Sequence, residues 1–323
     1  MTHRIVVTDH DFPDLSIEST ALDGADVELR SEYARTPDEV IDVAEDADAM
    51  LVQYAEITRE VFDALPDLQA VGRYGIGVDS IDLDAASDHG VHVVNVPDYC
   101  VEEVPTHALA LLLSCIRKIP SYDRTIKGGE WDWTGGKPIH RFTGSTLGLV
   151  GFGKLPRRLL ELVDGFDLDV LVYDPYVDAA DIEATGAEKV TLEDLLARSK
   201  YVSVHAPLTE ETHHLFDESA FETMREDAIL VNTARGPLVD VDALEDALEA
   251  GEIAGAGLDV LPEEPPDTTP PFDHEAIVYT PHVAWYSTES METMRRTVTE
   301  DLLGILQGDD PQNPVNDPES GTA

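Results

Sequence analysis

Gly148-Leu149-Val150-Gly151-Phe152-Gly153-Lys154-Leu155-Pro156 is the stretch whose reading decides the fold. A short apolar run ends in two glycines one residue apart, and helix-forming Arg157-Arg158-Leu159-Leu160-Glu161 follows. A glycine pair carries information in such a strand-to-helix context. Gly151 suits a tight turn beside Phe152, and Gly153 lets a pyrophosphate approach the backbone. The free N–H groups at Lys154 and Leu155 would open a helix whose dipole end is positive. Pro156 stands where a third glycine is usual, and a first helical turn accepts proline because its missing N–H has no partner there. The next apolar run, Val170-Leu171-Val172-Tyr173, ends on Asp174. That carboxylate lies about 20 residues past the glycines, where an acid can bond ribose hydroxyls and repel a 2′-phosphate. The pattern predicts NAD rather than NADP.

Working outward, strands are expected at 202–204, 229–231 and 256–258, with helices between them, among them 191–197 with Thr191 as N-cap and 239–249. On the N-terminal side, apolar runs at 5–7, 50–52, 70–71 and 91–96 alternate with helical patterns at 37–44 and 81–87. Two such series predict an α/β chain of two doubly wound parallel-sheet, Rossmann-like domains with a cleft between them. Residues 101–119 read as one long apolar helix, 128–144 as a Gly/Trp-rich loop, 262–271 as a Pro-rich loop and 287–306 as a closing helix. The last dozen residues read as frayed.

The chain has 323 residues, 21 Lys and Arg against 66 Asp and Glu, and a formal net charge of −45. Nucleic acid and anionic membrane are thereby poor partners. Such self-repulsion relaxes in concentrated salt, which predicts a halophilic protein, and only six of the cations are lysine. Two cysteines, Cys100 and Cys115, lack disulfide-framework or metal-site spacing and are expected to be packing residues in a reducing cytoplasm. No metal is expected. The longest apolar stretch, 108–116, is too short to span a bilayer.

Three chemically capable residues follow predicted strands of the second series: Arg235 in Asn232-Thr233-Ala234-Arg235-Gly236, Glu264 after Leu258-Asp259-Val260, and His282 in Thr280-Pro281-His282. Ligands of open α/β sheets gather at such strand ends. Together with Gly72-Arg73-Tyr74-Gly75-Ile76-Gly77-Val78-Asp79, Asn95-Val96-Pro97 and His205-Ala206-Pro207-Leu208, these ordered blocks cover nearly the whole chain. They resemble the D-isomer-specific 2-hydroxyacid dehydrogenase family. Details such as Tyr173-Asp174-Pro175-Tyr176 and His282-Val283-Ala284-Trp285-Tyr286-Ser287 look most like the branch of the C-terminal-binding protein corepressors, with phosphoglycerate dehydrogenases next.

The resemblance implies a substrate-binding domain of residues 1–99 and 283–323, an NAD domain of residues 100–282, and a homodimer. It implies that NAD meets Gly151, Phe152, Gly153, Lys154, Leu155, Pro156, Asp174, His205, Ala206, Pro207, Thr233, Ala234, Arg235, Asp259 and His282. Hydride transfer between NAD(H) and a D-2-hydroxy acid or 2-keto acid would then use three catalytic residues. His282 donates or takes the proton, Glu264 fixes the ring's tautomer, and Arg235 binds the carboxylate and polarises the carbonyl. Arg73, Ile76, Gly77 and Trp285 are expected to face the substrate. The alternatives are a D-3-phosphoglycerate dehydrogenase and an NAD(H)-sensing binding protein.

Overall fold

Short β-branched runs become parallel strands in both halves of the chain. The computed structural model describes residues 2–266 and 274–318. It divides into two units, Met1–Cys100 with Ser287–Ala323, and Val101–Tyr286.

The first unit holds β1 (His3–Val7), β2 (Val27–Ser31), β3 (Ala49–Val52), β4 (Ala70–Arg73) and β5 (His92–Val94). They form one parallel sheet in the order β2-β1-β3-β4-β5. Strand β3 is buried at every residue, as parallel strands covered on both faces should be. Strand β2 escaped the sequence reading because it is an edge. Its Glu28 and Arg30 break the apolar run and pair with Arg4 and Asp46. The helix Pro37–Ala44 starts where the sequence placed it, since Glu39 reaches back to the N–H groups of Arg35 and Thr36.

The closing helix Thr288–Gln307 packs on this sheet. A Cβ on Gly72 would come within 2.7 Å of Val298, so that glycine sets how close the helix can lie. Beneath it Arg295 and Glu18, both buried, form an ion pair completed by the Tyr74 hydroxyl at 3.0 Å from Glu18. The expectation of a frayed C-terminus is corrected as far as residue 316. Val315 donates to the Val93 carbonyl at 2.9 Å, Val93 donates to Asn316 Oδ1 at 2.8 Å, and buried Asp301 caps the N–H groups of Gln312 and Asn313. A polar tail is held here by a sheet edge with unpaired groups to satisfy. Residues 319–323 and the 267–271 part of the Pro-rich loop lie outside the described residues.

The second unit holds β6 (Thr146–Val150), β7 (Asp169–Tyr173), β8 (Glu188–Lys189), β9 (Tyr201–Val204), β10 (Ile229–Asn232), β11 (Gly255–Leu258) and β12 (Ile277–Tyr279). Their parallel order, β12-β11-β10-β9-β6-β7-β8, is that of a doubly wound dinucleotide fold. The chain moves outward one way from β6 and the other way from β9, so the switch point lies between them. Strands β8 and β12 are edges of two and three residues, too short to announce themselves.

The single helix expected over 101–119 is two helices, Glu103–Arg117 and Ile119–Lys127. Pro120 has no N–H to continue the ladder, and Lys118 turns the chain with φ 54°. Gly257 lets the first of these helices come close, with Leu111 and Cys115 the nearest side chains. Both cysteines are buried, and burial pushes the Cys115 thiol up to about 12. No described helix is long and apolar enough to cross a membrane.

Candidate active site

Every candidate of the second unit lies just beyond the carboxyl end of a strand. Gly151 follows β6 with φ +95°, and a Cβ there would meet the His205 carbonyl at 3.0 Å. Only glycine lets the turn after β6 pass so close to the turn after β9. Gly153 has open space where its side chain would be, and it precedes the helix Lys154–Val163. Pro156 is the third residue of that helix and is buried, so the missing third glycine leaves the helix intact. Arg157 braces the turn, with its guanidinium 4.2 Å above the Phe152 ring and Nε donating to the Phe152 carbonyl.

Asp174 at the end of β7 does two jobs in the backbone. Oδ2 accepts the Phe152 N–H at 2.8 Å, and Oδ1 accepts those of Tyr176 and Val177 at 2.8 and 3.1 Å. A carboxylate offers about four acceptor sites, so roughly one remains for a ribose hydroxyl. His205 follows β9, its Nε2 2.9 Å from Ser203 Oγ, and burial pushes its pKa down to about 4. The ring is therefore neutral beside the turn. Ala206 is buried next to it, and Pro207 leads into the 207–212 turn closed by Thr212.

After β10, Asn232 clamps the loop that carries Thr233, Ala234 and Arg235. Its Oδ1 accepts the Ala234 N–H and its Nδ2 donates to the Arg235 carbonyl. Arg235 Nη1 donates to the Ala234 carbonyl at 2.7 Å. Gly236 then meets the chain after β11 so closely that a Cβ would sit 2.0 Å from the Leu261 carbonyl carbon. This contact ties the Arg235 turn to the Glu264 turn. Glu264 Oε1 accepts the Leu261 N–H at 2.8 Å, and Oε2 is hydrogen-bonded to His282 Nδ1. Nδ1 must donate to a carboxylate, so Nε2 is the ring atom left for a reacting group.

Asp259 is 1% exposed, and its carboxylate faces the His282 loop. Oδ1 accepts from Thr280 Oγ1 at 2.6 Å and the Val283 N–H at 2.9 Å, Oδ2 accepts the Ala284 N–H at 2.9 Å, and the Asp259 carbonyl takes the His282 N–H at 2.7 Å. Sequence reasoning missed this bracing, and with it Thr280 and His107, because it joins residues far apart in the chain. Trp285 lies three residues on, edge-to-face with Tyr286.

Arg73, Ile76 and Gly77 belong to the first unit. Gly75 has φ +140°, and a Cβ there would overlap the Arg73 guanidinium, which folds back to the Tyr74 carbonyl. The Gly75 and Ile76 carbonyls are taken by the Val96 N–H and the Asn95 amide. The loop that would present the Ile76 and Gly77 N–H groups is thus pinned to the end of β5.

The second unit suits a dinucleotide. An open glycine, a helix start carrying Lys154 and no acid in its first turn, and an acceptor at the end of β7 all fit a pyrophosphate and a ribose. The buried Thr233 hydroxyl has no partner among the described residues, as a group reserved for a ligand would not. Among those residues no group of His, Cys, Asp and Glu could hold a metal.

Comparisons with known proteins agree. Residues 109–284 match the family model for the D-isomer specific 2-hydroxyacid dehydrogenase, NAD binding domain. A glyoxylate reductase of Korarchaeum cryptofilum is 39% identical over 283 residues, 86% of this chain and 85% of that protein. A D-3-phosphoglycerate dehydrogenase of Methanocaldococcus jannaschii is 35% identical over 285 residues, but the match spans 88% of this chain and only 54% of that longer protein. The crystal structure of a D-lactate dehydrogenase from Aquifex aeolicus, complexed with NAD and lactic acid, superposes with a TM-score of 0.87 at 26% identity, covering 98% of this chain and 100% of that one.

Proposed function

Because the chain belongs to the D-isomer-specific 2-hydroxyacid dehydrogenase family, we propose that it interconverts a 2-keto acid and the D-2-hydroxy acid with NAD(H). The observation that carries this reading is the His282–Glu264 hydrogen bond, braced by Leu261 on one side and Asp259 on the other. A protein that only sensed NAD would have no use for an oriented acid/base pair.

When bound, the nicotinamide supplies or takes up the hydride at the substrate's second carbon. His282 Nε2 gives a proton to the carbonyl oxygen during reduction and takes it back during oxidation. Glu264 keeps Nδ1 as the donor, so the proton moves at Nε2 only. Arg235 offers a planar fork of donors to the carboxylate and the carbonyl oxygen. By the family resemblance, the N–H groups of Ile76 and Gly77 would take a carboxylate oxygen, with Arg73 adding charge. Phe152, Gly153, Lys154 and Leu155 would hold the pyrophosphate, Asp174 the ribose, and Ala206, Pro207, Thr233 and Ala234 would line the nicotinamide end.

The substrate is a keto acid with an apolar or thioether side chain rather than a phosphorylated one. A phosphate dianion needs several free cations. Within the first unit Arg35 is engaged by Asp9 and Asp11 and stacks on Tyr33 and Tyr54. Trp285 can instead cover an apolar side chain, a gain of about 1.5–3 kcal/mol. A homodimer is supported by the exposed Ile119, Ile126, Trp131 and Trp133 that follow one another in the second unit. A halophilic cytoplasm suits the charge.

NADH oxidation in molar KCl with glyoxylate, pyruvate, phenylpyruvate and phosphohydroxypyruvate tests this. The expected order of kcat/KM has the unphosphorylated acids first, and Trp285→Ala raises KM for phenylpyruvate more than for glyoxylate. A clear preference for phosphohydroxypyruvate would return the protein to phosphoglycerate oxidation. Ligand-linked assembly without turnover would make it a sensor.

A further inference from the structure

One chain of hydrogen bonds in the second unit starts away from the reacting groups and ends on the His282 loop. His107, on the helix Glu103–Arg117, places Nε2 2.9 Å from Thr280 Oγ1 and 3.5 Å from Asp259 Oδ1. Thr280 Oγ1 is 2.6 Å from that same Asp259 oxygen. A hydroxyl has one hydrogen, and a carboxylate only accepts, so Thr280 donates to Asp259 and must accept from His107. The direction of the chain is therefore fixed, His107 Nε2–H to Thr280 to Asp259.

Asp259 hands this on to the backbone. Its carbonyl takes the N–H of His282 and its carboxylate those of Val283 and Ala284. His282 itself has φ 51°, a left-handed conformation that a residue with a side chain keeps only where its surroundings impose it. Glu264 orients the ring from outside, but nothing in that bond fixes the main chain from which the ring projects. The Asp259 carboxylate does, and its own side chain, with no exposed surface, is steadied by Thr280 and His107.

We propose that His107 is a positioning residue: through Thr280 and Asp259 it holds the backbone of residues 282–284 and so aims the His282 ring. The consequence for catalysis rests on the reading of His282 as the proton donor. The consequence for the loop does not.

Two readouts keep these apart. Amide hydrogen exchange at Val283 and Ala284 is followed on the full chain without cofactor, and kcat and KM are measured with NADH and pyruvate or phenylpyruvate. In His107→Leu the two amides are expected to exchange about 10-fold faster while those of β6 stay as in the parent. In that variant kcat falls about 10- to 100-fold at nearly constant KM, the size of effect expected of a small misplacement. His107→Gln, which keeps an N–H donor, restores both, and Thr280→Val adds nothing further to His107→Leu. Unchanged exchange at Val283 and Ala284 in His107→Leu overturns the inference even if the enzyme is active, as does a His107→Gln variant no better than His107→Leu. Faster exchange that Gln restores, in a parent that reduces no keto acid, upholds the positioning of the loop and sinks the proposed reaction instead.

Discussion

Oδ2 of Asp174 accepts the main-chain N–H of Phe152 at 2.8 Å, so the residue just past β7 holds the glycine turn that follows β6. One side chain thus serves both the geometry of the phosphate loop and the choice of cofactor. NADH is expected to exceed NADPH in kcat/KM. Asp174→Asn drops the charge and should narrow that preference, and because one of its two side-chain ends becomes an NH2 donor, it leaves the N–H of Phe152 or those of Tyr176 and Val177 without an acceptor and lowers Tm. Asp174→Ala should narrow it too, but also strip the acceptor from three N–H groups and cost about 1–3 kcal/mol of stability. Equal kcat/KM for the two cofactors in the parent would contradict the role of the carboxylate.

His282→Ala is expected to lower kcat by roughly 10²–10⁴ while NADH still binds, since a general acid contributes about that much and the glycine turn and Asp174 are left unchanged. Glu264→Gln should cost less, because its amide oxygen can still accept the Leu261 N–H and hold the turn. Arg235→Ala should raise KM as well as lower kcat. Stopped-flow and steady-state rates on the best keto acid check all three, and near-parental turnover in His282→Ala would remove the assignment.

The glycine turn, Asp174 and the strand-end positions of Arg235, Glu264 and His282 were legible because each is encoded within a few residues of a buried strand. Thr191 as an N-cap was legible for the same reason, its hydroxyl accepting the Asp194 N–H. The edge strands β2, β8 and β12 were not, since Glu28 and Arg30 break the apolar run of the first and the other two are only two and three residues long. Nor was the bracing of the His282 loop, for His107, Asp259 and Thr280 are brought together by packing of a helix on the sheet, across more than half of the second unit. The break at Lys118 was signalled by Pro120, whose missing N–H outweighs the apolar pattern around it. The settled tail at 313–316 could not be foreseen from its polar residues, because what holds it is the unpaired edge of β5.

Salt should matter to stability. The 66 Asp and Glu are set against only 21 Lys and Arg, some of them already shared, as Arg4 is between Glu28 and Asp46. Lowering KCl from molar to about 0.1 M lengthens the Debye distance from roughly 3 to 10 Å and exposes repulsion among the remaining carboxylates. Tm is expected to fall steadily over that range, and a Tm indifferent to KCl would refute the halophilic reading.

His205 predicts a component of the pH dependence whose sign can be worked out. Burial holds its pKa at about 4, against 6.5 for an ordinary histidine. Between those values the unfolded chain binds a proton that the native ring refuses, so the unfolded state holds more protons and stability rises with pH. Read downward, stability is lost as pH falls below about 6.5, and the loss levels off below about 4. Above neutrality the group contributes no slope. His205→Gln removes the titration while keeping a polar partner for Ser203 Oγ, and the many carboxylates titrate alike in both proteins. Tm in molar KCl is measured from about pH 7.5 down to pH 5, and the parent should lose more than the variant. Parallel curves for the two would show that the ring is not kept neutral behind the glycine turn.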